Sequence, residues 1–321
     1  MDKLLVIKHL KVQGTNAIAG LTWGFPAMTN FLGFTHALQR KVQSGGLALS
    51  FTSCAVVCHS SQVHASNNNL ARETYFSLTR NPLVMKGKEA VTAPFNEEGK
   101  MAFDISLLIH VKGKIPPDDE GGLTDLIEQE IPRMRVAGGT VQGLPKAVLH
   151  TNIGEINRND LKRKQFLRGF LPGFALVSRH DILQDHIQTT GKAPLEAWLD
   201  FSKLIKRSIP TSDDDDKADW VIEQLPYGGW LKPIAVGYQG ISPIYDAGEV
   251  GHVRDRTVPA QFVESIYSLG QWISPHRITD INHLLWTQSY NPEKSLYLCE
   301  NHYEPEESLT AEELTNTIEE H

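Results

Sequence analysis

The order of apolar and polar positions along the chain predicts a mixed α and β protein. Residues 4–12 begin as an apolar run and then alternate, which is typical of a buried strand. A helix capped by Thr29 or Asn30 is expected to begin near Phe31, because apolar residues then recur at helical spacing. This stripe consists of Phe31, Phe34, Leu38 and Val42. Further apolar segments that predict strands occupy residues 47–57 and 101–111.

A second helix is predicted over residues 123–134, where Pro132 should disturb its last turn. Strands are then predicted at 138–141 and 146–150. The resulting order is the βαββαβ pattern of ferredoxin-like and RNA-recognition-motif (RRM) folds. Residues 60–100 are polar and irregular, so they predict an arm inserted between the two middle strands. Residues 1–150 are therefore expected to form an α+β, RRM-like domain that carries this arm.

The C-terminal half predicts a helical and β subregion over residues 151–299. Helical segments are expected across 159–207, around a Pro-Gly break at 172–173, and a sheet element across 228–245. A further amphipathic helix is predicted from apolar residues at helical spacing. These residues are Phe262, Ile266, Leu269 and Ile273. The half is thus expected to be an α/β extension that completes the fold.

The net charge of −7 is concentrated in two acidic segments. Residues 300–321 hold eight acidic residues and no Lys or Arg, which leaves +1 for the rest of the chain. This acidic tail predicts a peripheral helix, with Thr310 and Glu313 as its capping box. The run at 213–219 carries −4, and acid runs are typical of solvated loops. By contrast, residues 158–179 hold six Lys or Arg and one acid, a local basic patch suited to phosphates.

Composition narrows the class of protein further. The 321 residues include no apolar run approaching a membrane span of roughly 20 residues, so a membrane protein is not expected. Three cysteines fit a reducing cytoplasm. Cys54 and Cys58 would stand ~13 Å apart on a strand, too far to share one zinc ion, so neither metal nor cofactor is expected. The sequence holds no Walker loop, GxSxG or zinc-hydrolase motif.

Six ordered segments resemble one known family. They are Leu-Thr-Trp-Gly-Phe-Pro at 21–26, Phe-Leu-Gly-Phe-Thr-His-Ala-Leu-Gln-Arg at 31–40, Leu-Thr-Arg-Asn-Pro-Leu at 78–83, Met-Arg-Val-Ala-Gly-Gly at 134–139, Leu-Pro-Gly-Phe-Ala-Leu-Val-Ser-Arg at 171–179 and Gly-Gln-Trp-Ile-Ser-Pro-His-Arg at 270–277. In this order they closely resemble the type I-F member of the CRISPR-associated RAMP superfamily, the second subunit of the Csy surveillance complex. The resemblance runs from about residue 4 to about residue 298.

The resemblance implies a function and a set of partners. It implies a non-catalytic protein with a ferredoxin-like RAMP domain, whose arm forms a thumb that presses on RNA. It also implies that the protein holds the 5′ handle of a CRISPR RNA (crRNA) and pairs with the large, PAM-reading Csy subunit. The backbone Csy subunit would be a neighbour, and target DNA would be met through the assembled complex. In this family a separate endoribonuclease matures the RNA.

The basic stretch supplies the strongest candidates for phosphate contacts. Lys164 and Arg168 are four residues apart and share one helix face, and Arg163 lies beside them. Such groups neutralise phosphates and release their counterions. The alternative is an ordinary solvated face. The neighbouring segment, which ends at Arg179, matches the family and favours RNA.

Two loops offer further candidates. Trp23 or Phe25 is expected to stack on a base, unless the rings fill the core below the first helix. Gly138 and Gly139 follow Arg133 and Arg135 at the position of the Gly-rich loops of RAMP proteins, where a backbone can approach sugar-phosphate closely.

Further basic points are scattered along the chain. They are Lys11, Arg80, Arg254, Arg256, His276 and Arg277. Arg256 has an alternative role as a partner of Asp255 or Glu249. Lys8 and Lys11 are three apart on one strand, so opposite faces are expected for them. On that expectation at most one of the two meets RNA.

Two other functions remain open at this stage. One is a metal-independent CRISPR endoribonuclease of the same superfamily, for which His36 would be a general acid or base without an obvious second partner. The other is a protein-only assembly scaffold. The fold pattern by itself would allow all three functions.

Overall fold

The computed structural model describes most of the chain. The described residues are 2–68, 73–76, 78–80, 83–93, 95–115, 119–150, 152–203, 205–210, 218–223, 225–253 and 255–305. Arg254 and the capping box of Thr310 and Glu313 lie outside these ranges, as does most of the acid run at 213–219.

The described residues form strands and six α-helices in a mixed α and β arrangement. In chain order they are β1 (Asp2–Asn16), β2 (Ile18–Ala19), β3 (Thr22–Trp23), α1 (Met28–Ser44), β4 (Ser50–Val63), β5 (Ala65–Asn68), β6 (Glu73–Phe76), β7 (Leu78–Arg80), β8 (Val84–Lys86), β9 (Glu89–Val91), β10 (Phe95–Glu97), β11 (Lys100–Lys112), α2 (Glu120–Glu130), β12 (Arg135–Val136), β13 (Gly139–Gln142), β14 (Lys146–His150), α3 (Ile153–Asn157), α4 (Asp160–Arg168), β15 (Phe174–Ser178), α5 (His180–Thr190), α6 (Pro194–Asp200), β16 (Ile205–Pro210), β17 (Ala218–Glu223), β18 (Trp230–Gly240), β19 (Val263–Ile273), β20 (Trp286–Asn291) and β21 (Leu296–Asn301).

The first half builds an antiparallel sheet in the order β14–β1–β11–β4. The strands predicted at residues 4–12 and 101–111 are confirmed, and β11 lies between two neighbours as its apolar sequence requires. Short hairpins occupy the connection between β4 and β11, where the arm is predicted. One face of the sheet packs against α1 and α2, and the predicted stripe of α1 is fully buried. Burying each such side chain contributes about 1.5–3 kcal/mol.

The helix boundaries show one error and one success. Helix α1 begins at Met28, not near Phe31, and its N-cap residue Ala27 makes no side-chain cap. The expectation that Thr29 or Asn30 caps the helix is wrong, because both already lie inside its first turn. Helix α2 ends at Glu130, and a short 3₁₀ helix over Ile131–Arg133 follows, as expected from the missing amide hydrogen of Pro132.

The second half extends the same sheet beyond β4 through β15, β19, β18, β21 and β20. The helix predicted from Phe262 to Ile273 is wrong, because this segment is strand β19. It pairs with β15 on one side and β18 on the other, and these two ladders outweigh the helical spacing of its apolar residues. Strand β15 likewise interrupts the helical segments expected across 159–207.

Two bulges shape the face of the first half that lies opposite α1. The register of β1 against β11 shifts between Ile7 and Leu10, and that of β4 against β11 shifts at His59. His9 takes up the first shift with a φ of 51°. The bulge reverses the alternation of β1, so Lys8 and Lys11 lie on the same face and the expectation of opposite faces is wrong. Leu10 and Val12 accordingly join the core beneath α1.

Candidate nucleic-acid interface

An aromatic cavity lies where the two halves of the sheet meet. Its volume is about 240 Å³. The loop before α1, the end of β4, and strands β15, β18 and β19 supply its walls. The lining residues are Gly24, Phe25, Cys58, His59, Ser60, Ser61, Phe174, Trp230, Lys232 and Trp272. The cavity thus combines four aromatic rings with one lysine.

The rings form two edge-to-face pairs. Phe25 meets Trp272 with ring centroids 4.9 Å apart, and Phe174 meets Trp230 at 5.6 Å. Such edge contacts fix ring orientation. The side chain of Trp230 remains 58% exposed, so much of its surface is open to a ligand. An exposed, oriented aromatic face is what a nucleobase stacks on.

Lys232 lies half-buried in this wall. Its Nζ is 5.4 Å from the ring centroid of Trp23, a cation–π contact. Burial lowers the pKa of the Lys232 ammonium. No carboxylate in the described part of the chain forms an ion pair with it. A desolvated cation without an acidic partner favours an anionic ligand.

His59 is held at the floor of the cavity by a hydrogen-bond relay. Its Nδ1 donates to the carbonyl oxygen of Pro172 at 2.7 Å, because a carbonyl only accepts. Its Nε2 therefore accepts from the Ser106 hydroxyl at 2.7 Å. Ser106 Oγ in turn accepts from the backbone N–H of His9 at 3.2 Å. A Cβ at Gly173 would stand 2.9 Å from His59 Nδ1, so only glycine leaves room for the ring.

Two grooves adjoin the cavity. The first shares Ser60 and Ser61 with it and contains Lys11. The second shares Phe174, Trp230 and Trp272 with it and contains Arg179 and Arg277. The three concavities therefore adjoin one another across the sheet, and together they are called the path below. Four predicted site residues line it, namely Lys11, Phe25, Arg179 and Arg277, and Trp23 stands beside it against Lys232.

Trp23 and Phe25, for which the sequence allowed either base stacking or core packing, lie in different environments. Trp23 is 57% exposed and stands over Lys232. Phe25 is partly buried and stacks on Phe31 of the core at 5.6 Å. Trp23 thus faces the solvent, whereas Phe25 mainly fills the space below α1.

Two basic side chains of helix α4 are paired with an acid of the same helix. Arg163 and Lys164 both bind the carboxylate of Asp160, and the hydrogen bond from Lys164 lowers the pKa of that carboxyl. The guanidinium of Arg163 also donates to the carbonyl of Asn157 at 3.2 Å, and only 14% of its side chain is exposed. Arg168 is exposed at the end of the helix.

The Gly-rich turn lies at the far edge of the sheet, on β12 and β13. Arg133 pairs with Glu130, and Arg135 donates to the carbonyl of Gly138 at 3.2 Å, across the turn. Gly138 has a φ of 79°. A Cβ at Gly139 would stand 2.7 Å from the Gln13 carbonyl oxygen, so close packing on β1 explains this glycine.

The other basic points are spread over the surface. Arg80 lies in β7 of the arm, and Arg256 is exposed on the loop between β18 and β19. Asp255, the partner considered for Arg256, instead accepts hydrogen bonds from Thr257. His276 is beside the path, with its Nδ1 2.8 Å from the Ser274 hydroxyl. Arg179 is on the path but is neutralised by Asp181.

Comparison with known proteins decides the family. The model of the CRISPR-associated protein family Cas_Csy2 matches residues 5–299. CRISPR-associated protein Csy2 of Pseudomonas aeruginosa (strain UCBPP-PA14) is 37% identical, over 92% of this chain and 94% of that protein. The chain belongs to the Csy2 family. The resemblance to the second Csy subunit of type I-F CRISPR systems is therefore confirmed.

Most of the Csy2-family cavity was not predicted from the sequence. The missed lining residues are His59, Phe174, Trp230, Lys232 and Trp272, and His9 and Ser106, which adjoin the cavity, were missed as well. A signal was present for two of them, since Phe174 and Trp272 lie inside matched family segments. In the described ranges no helix is long and apolar enough to cross a membrane. No cluster of three potential metal ligands occurs in the same part of the chain.

Proposed function

We propose that this Csy2-family chain binds the 5′ handle of crRNA within a type I-F surveillance complex and has no catalytic role. The observation that carries the proposal is Lys232, which lies in an aromatic cavity without an acidic partner among the described residues. Phosphate would meet the lysine, and a splayed base would stack on Trp230. Lys11 and Arg277, at the two ends of the path, would hold the backbone on either side.

We also propose partners and a finer fold class. The strand order β14–β1–β11–β4, with helices on one face, supports a ferredoxin-like RAMP domain over residues 1–150. Residues 151–299 would complete this fold, and 300–321 would be an acidic tail. Family membership supports pairing with the large PAM-reading subunit, contact with the backbone subunit and action on target DNA through the complex. The cytoplasm, where crRNA is made, is the proposed location.

The remaining predicted contacts stay part of the proposal. They are Arg80, Arg133, Arg135, Gly138, Gly139, Arg163, Lys164, Arg168, Arg254, Arg256 and His276. Arg133, Arg163 and Lys164 are each paired with an acid, so these three are weaker candidates than Lys232 and are expected to add little to the affinity.

RNA binding by matched tryptophan variants tests the function. Trp230→Ala removes the exposed ring in the cavity and should weaken handle binding by about ten-fold or more, the value of one base–aromatic stack. Trp220→Ala is the control, since Trp220 is 70% exposed on the β16–β17 hairpin. Fluorescence anisotropy with the repeat-derived 5′ end of the host crRNA would measure both.

Three results would count against the proposal. Equal affinities for both variants and the unchanged chain would place RNA elsewhere. No RNA binding, alone or with the large subunit, would favour a protein-only scaffold. Metal-independent cleavage of precursor RNA would favour the endoribonuclease.

A further inference from the structure

The face of the sheet opposite α1 carries a second feature, located at the two bulges. His9 and His59 are brought together there with ring centroids 4.3 Å apart and a tilt of 31°. They come from strands β1 and β4, which flank β11 without touching each other. Ordinary alternation would turn His9 toward the core beneath α1, whereas His59 continues the face of Ala55 and Val57, so the bulge in β1 is what brings the two rings together.

The two histidines differ in what their nitrogens do. Both nitrogens of His59 are used within the protein, by Pro172 and Ser106. His9 uses only Nδ1, which lies 3.2 and 3.3 Å from the two carboxylate oxygens of Asp104. Its Nε2 has no hydrogen-bond partner in the described ranges, and its side chain is 57% exposed. His9 is therefore a half-exposed ring that is held at Nδ1 and has Nε2 available to a ligand.

The contact with Asp104 fixes the tautomer of the neutral His9 ring. An ionised carboxylate only accepts hydrogen bonds, so the proton of the neutral His9 ring resides on Nδ1. Nε2 then presents a lone pair and accepts. A phosphate oxygen, which also only accepts, is a poor partner for it. A hydroxyl or amino hydrogen is a good one.

The position of His9 selects among such donors. His9 lies between the aromatic cavity, which contains its neighbour His59, and the groove that contains Asp104 and Lys11. On the proposed RNA path, a phosphate held by Lys11 and a base held in the cavity leave the ribose between them. The ribose 2′-hydroxyl is the group by which a protein distinguishes RNA from DNA.

We propose that His9 Nε2 accepts a hydrogen bond from one ribose 2′-hydroxyl of the bound strand and makes this site selective for RNA. The inference rests on the proposed function, because it requires RNA on this path. Asp104 is a positioning residue that keeps the proton on Nδ1, and the His59–Ser106 relay supports the ring from below.

His9→Gly tests the proposal without straining the bulge. Glycine adopts a φ of 51° readily, whereas alanine there would be strained. The probes are the 5′ end of the host crRNA, copies with a single 2′-deoxy or 2′-O-methyl nucleotide at each position, and DNA of the same sequence. The unchanged chain should lose about five-fold in affinity at one position when the 2′-hydroxyl is removed or methylated, the usual value of one hydrogen bond.

The variant should then bind the natural RNA about five-fold more weakly and show no further loss at that position. Its affinity for DNA should be unchanged, and an unaltered melting temperature should show that the fold is intact. Equal losses on RNA and DNA would point to a base or phosphate contact and overturn the proposal. So would the absence of any 2′-sensitive position in a chain that binds RNA. Failure of the unchanged chain to bind any RNA would instead refute the proposed function itself.

Discussion

The helices of the second half and the aromatic cavity use positive charge in opposite ways. On α4, Arg163 and Lys164 share the carboxylate of Asp160. At the end of α6, the buried Asp200 gathers His186, Lys192 and Lys203. In the cavity, by contrast, Lys232 lies against Trp23 with no carboxylate in the described ranges to pair with it.

This comparison shows which basic side chains are available to bind an anionic ligand. Lysines and arginines that follow an acid by three or four residues tend to be satisfied within their own helix. They mark a basic sequence, but their charge is already compensated. A lysine among aromatic rings has lost part of its hydration without gaining an anionic partner. Binding a phosphate therefore lowers its free energy more than it would for a lysine that is already paired. The lone residue is therefore a better ligand site than the denser basic run.

The largest expected effect is on the free energy of unfolding, when the buried and paired Asp200 is replaced. Asp200→Asn removes the acid that His186 and two lysines share, and it should destabilise the protein by about 3 kcal/mol because the partners stay in place without compensation. Chemical denaturation would measure the change. Glu196→Gln, an exposed acid on the same helix, should stay within about 0.5 kcal/mol. Comparable losses for both variants would contradict the special role of Asp200.

Asp200 should also make the stability of the fold depend on pH. Burial raises the pKa of Asp200, but hydrogen bonds from Lys192, His186 and Lys203 outweigh it and hold the pKa well below its ordinary range. A carboxyl with a lowered folded-state pKa contributes stability above about pH 4 and loses it as the pH falls further. Denaturation midpoints below pH 4 should thus fall more steeply for the unchanged chain than for Asp200→Asn. Parallel pH profiles would show that the cluster is unimportant.

The first half of the fold could be predicted from the sequence because its pattern and its packing agree. The apolar stripe of α1, the fully apolar β11 and the break at Pro132 each express one local rule. Strand β19 could not be predicted, since its helical spacing is overruled by two long-range ladders. The start of α1 was missed for a smaller reason, as its cap at Ala27 uses no side chain.

The candidate site was harder to predict from the sequence, for a related reason. Sequence proximity found the basic run of α4 but could not show that Asp160 already compensates it. The cavity collects Trp230 and Lys232 from β18, Trp272 from β19 and His59 from β4, which are far apart along the chain. The bulge at His9 reversed the face of Lys11, and a count of residues along the strand does not reveal a bulge.

A matched pair of lysine variants tests the comparison directly. Lys232→Met keeps the apolar stem and removes the charge, so handle affinity should fall about ten-fold, typical of a charged hydrogen bond. The slope of log affinity against log salt should fall by about 0.7, because one phosphate contact on a single strand is lost. Stability should hold or rise, since a half-buried cation is costly.

Lys164→Met is the control for this pair. Lys164 is 54% exposed and paired with Asp160, so affinity and salt slope should change little. Titration of both variants with handle RNA at several salt concentrations gives the two slopes. A larger effect of Lys164→Met than of Lys232→Met would reverse the comparison and return the RNA path to the basic helix.

The smallest expected effect lies at the end of the path, where Arg277 is exposed beside the aromatic wall. Arg277→Ala should lower the salt slope by about 0.7 and the affinity by only about three-fold, because an exposed guanidinium is already well hydrated and screened. Arg133→Ala is the matched change at the opposite edge of the sheet, where Glu130 already holds the guanidinium. It should leave both quantities unchanged. If Arg133 proved the more important of the two, RNA would follow the Gly-rich turn, and the cavity would serve another ligand.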